Sequence, residues 1–157
     1  MSVRSLALLG AVAAILGLGA APAQADPKPG VMASPRLTIQ QAGGGQCRLT
    51  VLTSVGMAQA QAQYQIDNGA VARIEVWADD LVYDNRLLKA PNAALTASRY
   101  GSGLVVTAQP TLPCSALDED RSSNLDTEGD EIYVKVVFDG PGYPRLSKNS
   151  NVVSGRW

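Results

Sequence analysis

The stretch EIYVKVVFD (Glu131–Asp139) constrains the fold more than any other part of this chain. Ile132, Val134, Val136 and Phe138 fall on one side, and Lys135 and Asp139 on the other. A period of two in β-branched and aromatic residues is the pattern of a half-buried strand, because successive side chains leave opposite faces. Other stretches repeat it. RLTIQ puts Leu37 and Ile39 together, QCRLTVLT puts Cys47, Leu49 and Val51 together with Arg48 and Thr50 opposite, and GLVVTAQ (103–109) is rich in β-branched residues. Turn signals separate them: Gly43-Gly44-Gly45, Gly101-Ser102-Gly103, and DGPGYP from Asp139 to Pro144. No segment reads as a long amphipathic helix. The pattern predicts an all-β fold, an antiparallel β-sandwich.

The stretch MAQAQAQYQIDNGAVARIEVWADD (Met57–Asp80) tests that reading, because alanine and glutamine favour helices. A helical face from Met57 mixes Ala60, Gln61 and Tyr64. As a strand, Ala58, Ala60, Ala62, Tyr64 and Ile66 make an uninterrupted apolar face, and the glutamines take the other. This predicts a hairpin closed by a loop at Asp67-Asn68-Gly69, with Gly69 in the left-handed region. Tyr64 then faces Ala72, Ala62 faces Ile74 and Ala60 faces Val76. Gln63 lies beside Arg73, Gln61 beside Glu75, and Gln59 beside Trp77. Trp77 is thereby predicted on the outer, polar side, and Trp77, Gln59, Gln61, Arg73 and Glu75 form a candidate ligand face for a sugar or peptide. The competing expectation is that a loop or the chain terminus covers Trp77.

Residues 1–25 read as a secretory signal peptide: one cation at Arg4, an apolar run from Leu6 to Ala21, and Ala23-Gln24-Ala25 as a small-x-small cleavage site. No later segment is long and apolar enough to span a bilayer. Residues 26–35, with three prolines, read as a flexible lead, and 36–157 as one β-sandwich domain. A chain exported to an oxidising compartment with two cysteines predicts a Cys47–Cys114 disulfide. Closing so long a loop is worth about 4 kcal/mol if chain entropy dominates. The order Cys47, Trp77, Cys114 invites comparison with immunoglobulin domains. The tryptophan comes late, and Leu112 stands where a tyrosine corner is expected, so the likeness is Ig-like in architecture alone.

The chain has no histidine. This removes histidine-based triads, histidine-ligated zinc and the usual general base at neutral pH. Oxidised cysteines remove thiolate nucleophiles and thiolate metal sites. No Ser-x-x-Lys motif and no phosphate-binding glycine loop is present. The expectation is a protein that is not an enzyme and has no cofactor. The formal net charge of −1 becomes more negative once Arg4 leaves with the signal peptide, which argues against a nucleic-acid partner.

Two acidic stretches raise calcium as a possible ligand, since calcium takes several oxygens from loops. Asp79, Asp80 and Asp84 follow the proposed hairpin, and Asp126, Glu128 and Asp130 lie in SALDEDRSSNLDTEGDE (115–131). An EF-hand alignment fails, because Lys135 falls where the bidentate glutamate is required. If the strands on either side of Gly101-Ser102-Gly103 run up and down, both acidic loops emerge at the same end. The resulting expectation is a secreted, non-catalytic binding or structural domain of the cell exterior, its partner an extracellular protein or glycan. The alternatives are a calcium-stabilised β-domain and a protease inhibitor presenting QPTLPCS (109–115) as a stiff loop.

Overall fold

The computed structural model describes residues 30–79, 85–98, 103–118 and 129–157. The predicted signal peptide lies outside them. The strands are β1 (Arg36–Gly43), β2 (Gln46–Val55), β3 (Val71–Ala78), β4 (Asn85–Ala97), β5 (Leu104–Ala108), β6 (Thr111–Pro113), β7 (Asp130–Asp139), β8 (Leu146–Asn149) and β9 (Val153–Gly155). Among the described residues one α-helix, α1 (Gln59–Asp67), joins β2 to β3, and a single 3₁₀ turn, Cys114–Ala116, follows β6. The fold is all-β in character, as the alternation requires. Its strands follow one path, β1-β2-β5-β4-β3-β7-β8, with every neighbour antiparallel. β6 continues the line of β5 along β2, and β9 continues that of β8 along β7. The sheet curls until it is nearly barrel-shaped.

β4 makes the curl possible. Its second half pairs with β5 and its first half with β3. The register on β3 slips between the Ala90 and Ala93 pairings, where Pro91 lies. Proline has no N–H for a ladder, so it belongs at such a bulge.

The inward positions are those the alternation marks. Leu37, Cys47, Leu49 and Val51, then Ile132, Val134, Val136 and Phe138, are buried, as are Ala72, Ile74, Val76 and Ala78 of β3. Burying a branched or aromatic side chain is worth about 1.5–3 kcal/mol. The Cys47–Cys114 disulfide forms, with Cα atoms 4.8 Å apart. It ties the start of β2 to the turn after β6, two neighbours in the same part of the sheet.

The predicted hairpin does not form. Gln59–Asp67 is helical, with Ala62 and Gln65 buried beneath it. Asn68-Gly69 is not a hairpin turn but the end of the helix. Gly69, at φ +81°, donates its N–H to the Ile66 carbonyl at 3.2 Å, and the Ala70 N–H reaches the Gln65 carbonyl at 2.9 Å. This pair of bonds is the Schellman motif, which needs a residue in the left-handed region and so favours glycine. Two physical facts override the period-two reading. The proposed strand face was mostly alanine methyls, which gain little from burial, whereas alanine and glutamine lose little in a helix. In addition, β3 is flanked by β4 and β7, which leaves no edge for another strand.

The expected flexible lead is docked from Gly30 onward. The Gly30 N–H bonds the Gly56 carbonyl at 2.8 Å, the Ala33 N–H bonds that of Ser54 at 2.8 Å, and Met32 is buried in a bridge to Val55. The final residues also dock. β9 pairs with Asp130–Ile132, and the half-buried Trp157 ring lies over Gly155 and packs against the core.

Strand parity fixes how the barrel closes. Along a path of seven antiparallel neighbours the first and last strands run the same way, so β9, which continues the line of β8, comes alongside β1 in parallel. No backbone ladder forms there among the described residues. Side chains bridge the seam instead. The Leu37 N–H donates to Asn151 Oδ1 at 2.9 Å, and Asn151 Nδ2 donates to the Leu37 carbonyl at 3.2 Å. The Asn151 amide thus stands in for the peptide group of a neighbouring strand. Further along, Lys148 Nζ donates to the Met32 carbonyl at 3.4 Å.

Candidate functional site

Alternation along β3 sends Arg73, Glu75 and Trp77 outward, each half-buried. The outward placement of Trp77 therefore stands, although the hairpin that suggested it does not. Gln59 and Gln61 are exposed on α1, a helix that lies against β4 and β5. The neighbours of Trp77 come from other strands. It pairs with Tyr133 on β7 and with Arg86 on β4.

Those two residues flank the indole on both sides. The Tyr133 ring stacks parallel to it, 7° off plane and 6.4 Å between centroids. The Arg86 guanidinium carbon lies 5.9 Å from the indole centroid, within cation–π range. Trp77 Nε1 is buried without a hydrogen-bond partner. Tyr133 is buried although it faces outward, whereas Arg86 is exposed. One register step along the same face, Glu75 sits between Lys89 on β4 and Lys135 on β7. Next comes Arg73 opposite Val137. The face is thus an aromatic–cation row beside a lysine–glutamate–lysine row.

Sequence reasoning placed Arg73, Glu75 and Trp77 here and missed Arg86, Lys89, Tyr133 and Lys135. The alternation in EIYVKVVFD does put Tyr133 and Lys135 on an outer face. Nothing local says that this face adjoins that of β3.

Of the acidic residues considered for calcium, Asp80, Asp84, Asp126 and Glu128 lie outside the described residues. Asp79 is exposed and Asp130 is buried. The Asp79 N–H bonds the Glu131 carbonyl at 2.7 Å, so the end of β3 and the start of β7 adjoin. Among the described residues no group of three or more Asp, Glu, Cys or His side chains is arranged to hold a metal. In QPTLPCS, Thr111–Pro113 forms β6, paired with Gln46–Arg48, and Leu112 is buried. That stretch is built into the sheet.

No protein family, characterised protein or solved structure matches this chain.

Proposed function

We propose that this chain is a non-catalytic binding domain of the cell exterior, and that it binds through the outer face of β4, β3 and β7. The observation carrying this reading is the stacked Arg86–Trp77–Tyr133 row. Large aromatics and an oriented guanidinium supply contact area and directed hydrogen bonds at little entropic cost, which is why tryptophan, tyrosine and arginine dominate binding hot spots. The disulfide accords with an oxidising compartment, and no described helix is long and apolar enough to cross a membrane. An immunoglobulin-like arrangement remains part of the proposal. The two parts of the sheet that share β4 would supply its layers, although a disulfide between neighbouring strands departs from the inter-sheet bond of that fold.

Lysine footprinting tests the reading. The mature chain, Asp26–Trp157, is acetylated in the presence of each member of a panel of extracellular glycans and proteins. Protection of Lys89 and Lys135 by a bound partner, with Lys148 at the seam still reactive, is the expected result. A partner that binds and protects Lys148 alone places the binding surface elsewhere.

A further inference from the structure

Asn68-Gly69 is the one Asn-Gly pair in the chain. Glycine has no Cβ to crowd its own nitrogen, so in such a pair that nitrogen can reach the preceding side-chain amide. The Gly69 nitrogen, giving up its proton, bonds to Asn68 Cγ, the Cγ–Nδ2 bond breaks, and ammonia leaves a five-membered imide. Water then opens the imide at either carbonyl, to aspartate or to the β-linked isoaspartate. Both residues are exposed, and nothing lies within 4 Å of the place a Gly69 Cβ would take, so water has free access.

The end of α1 holds the two reacting groups apart. The Gly69 N–H is bonded to the Ile66 carbonyl at 3.2 Å, and Asn68 Nδ2 donates to the Tyr64 carbonyl at 2.8 Å. Ring closure needs the Gly69 nitrogen eclipsed with Cβ about the Cα–C bond of Asn68. At the observed ψ of 22° that nitrogen is turned to the far side. Reaction therefore waits for the last turn to open. Little else keeps α1 closed. It has nine residues, too few to stand alone, with no side-chain N-cap, no acidic residue in its first turn and no basic one in its last. Conversion would set a carboxylate, in place of an amide donor, against the Tyr64 carbonyl and beside Asp67, at the negative end of the helix dipole. Isoaspartate would also lengthen the main chain by one carbon, moving the Gly69 and Ala70 N–H groups off the Ile66 and Gln65 carbonyls. We propose that Asn68-Gly69 is a self-modification site with water as co-reactant, gated by the opening of this helix end, and that its conversion unlatches α1. The latch it releases includes the buried Gln65, whose Nε2 donates to the Pro141 carbonyl at 3.1 Å.

The experiment incubates the mature chain at mildly alkaline pH, folded and in urea, alongside folded Gln63→Gly. Peptide mapping by mass spectrometry follows asparagine, aspartate and isoaspartate at position 68. Gln63 is exposed in the last turn, where its Nε2 donates to Asp67 Oδ1 at 2.8 Å, so the variant weakens the helix end and leaves the reacting pair intact. Circular dichroism confirms that its sheet is retained. In urea, Asn68 should convert ahead of every other asparagine. The folded chain should convert about tenfold or more slowly, in proportion to the fraction of time the helix end is open. Gln63→Gly should raise the folded rate about fivefold. In the isolated converted protein the amides of the last turn of α1 should exchange about tenfold faster or more, with those of β7 unchanged. Equal rates folded and in urea would show that the cap gates nothing. A Gln63→Gly chain whose α1 amides exchange faster while Asn68 converts no faster would also overturn the proposal. So would conversion in urea with none in either folded form, because the cap would then never open. Unchanged α1 exchange in the converted protein would refute the unlatching.

Discussion

Replacing Asn151 by alanine should loosen the barrel at a strand far away in sequence. The Asn151 amide makes two hydrogen bonds to Leu37, 114 residues distant, one to the N–H and one to the carbonyl. Each is worth about 1 kcal/mol net. Leu37 as a whole residue is 1% exposed, so its peptide group has limited access to water once the amide is gone, which pushes the cost upward. Asn151 itself is exposed, so water partly replaces the lost partner. The two corrections oppose each other, and the expected loss is about 2 kcal/mol. For a domain of this size that lowers the melting temperature by roughly 6–12 °C. Hydrogen exchange gives the sharper test, because the Leu37 amide is held by a side chain rather than a ladder. In Asn151→Ala its exchange should accelerate about tenfold or more, while the core amides of β7 slow or quicken only with global stability. A melt within a degree of the unaltered protein, with Leu37 exchange unchanged, would refute the reasoning. The seam would then be held by the burial of Leu37 alone.

Four further outcomes are expected. A methyl group added at Gly140 would meet Gln65 Oε1 and lie 3.0 Å from the Phe138 ring, so Gly140→Ala should cost about 1–3 kcal/mol in chemical denaturation. In the background of Gln65→Ala the same change should cost less, and strict additivity would show that Gln65 is not the obstacle. Gln65 is fully buried, its Oε1 unpartnered while its Nε2 donates to the Pro141 carbonyl at 3.1 Å, so Gln65→Met relieves one orphaned oxygen but strips that carbonyl of its donor and should cost about 1 kcal/mol; a gain in stability would show that the orphaned oxygen outweighs the bond. Reducing the Cys47–Cys114 bond should remove about 4 kcal/mol and shift the melt by more than ten degrees, against no shift if the neighbouring β2–β6 ladder suffices. Melts in millimolar calcium and in excess chelator should coincide; an upward shift with calcium, about 2.7 kcal/mol at a hundredfold excess over Kd, that Asp130→Asn abolishes would establish the acidic loop as a site.

The strands with period two were legible because β-branched residues at alternate positions have one good solution, a half-buried strand. β3 follows that logic at every position, β1 and β2 follow it over part of their length, and β7 departs from it where the outward Tyr133 and Val137 are buried. The first half of β4 was not legible. NRLLKAPN carries no β-branched residue, and Pro91 argues against a strand until the slip in its pairing to β3 explains it. The helix failed for a different reason. An alanine–glutamine alternation satisfies a strand template as well as a helix template, and Asn-Gly serves both a hairpin turn and a helix end. What separated them was the occupancy of both edges of β3, a fact set by residues far down the chain. The same distance hid the site. Trp77 was read as outward-facing, but its flanking residues Arg86 and Tyr133 reach it only through the sheet order.

The odd number of strands along the sheet has a consequence for the order in which the chain is made. Neighbouring hairpins such as β1–β2 and β4–β5 need only nearby residues, so they are free to form early. The amide that fastens β1 to the far side of the barrel belongs to residue 151 of 157. Until that residue is available, the first strand has a neighbour on one side only. Trimming the chain back past Asn151 would therefore act on the opposite end of the sequence, exposing the edge of β1 rather than simply fraying a tail.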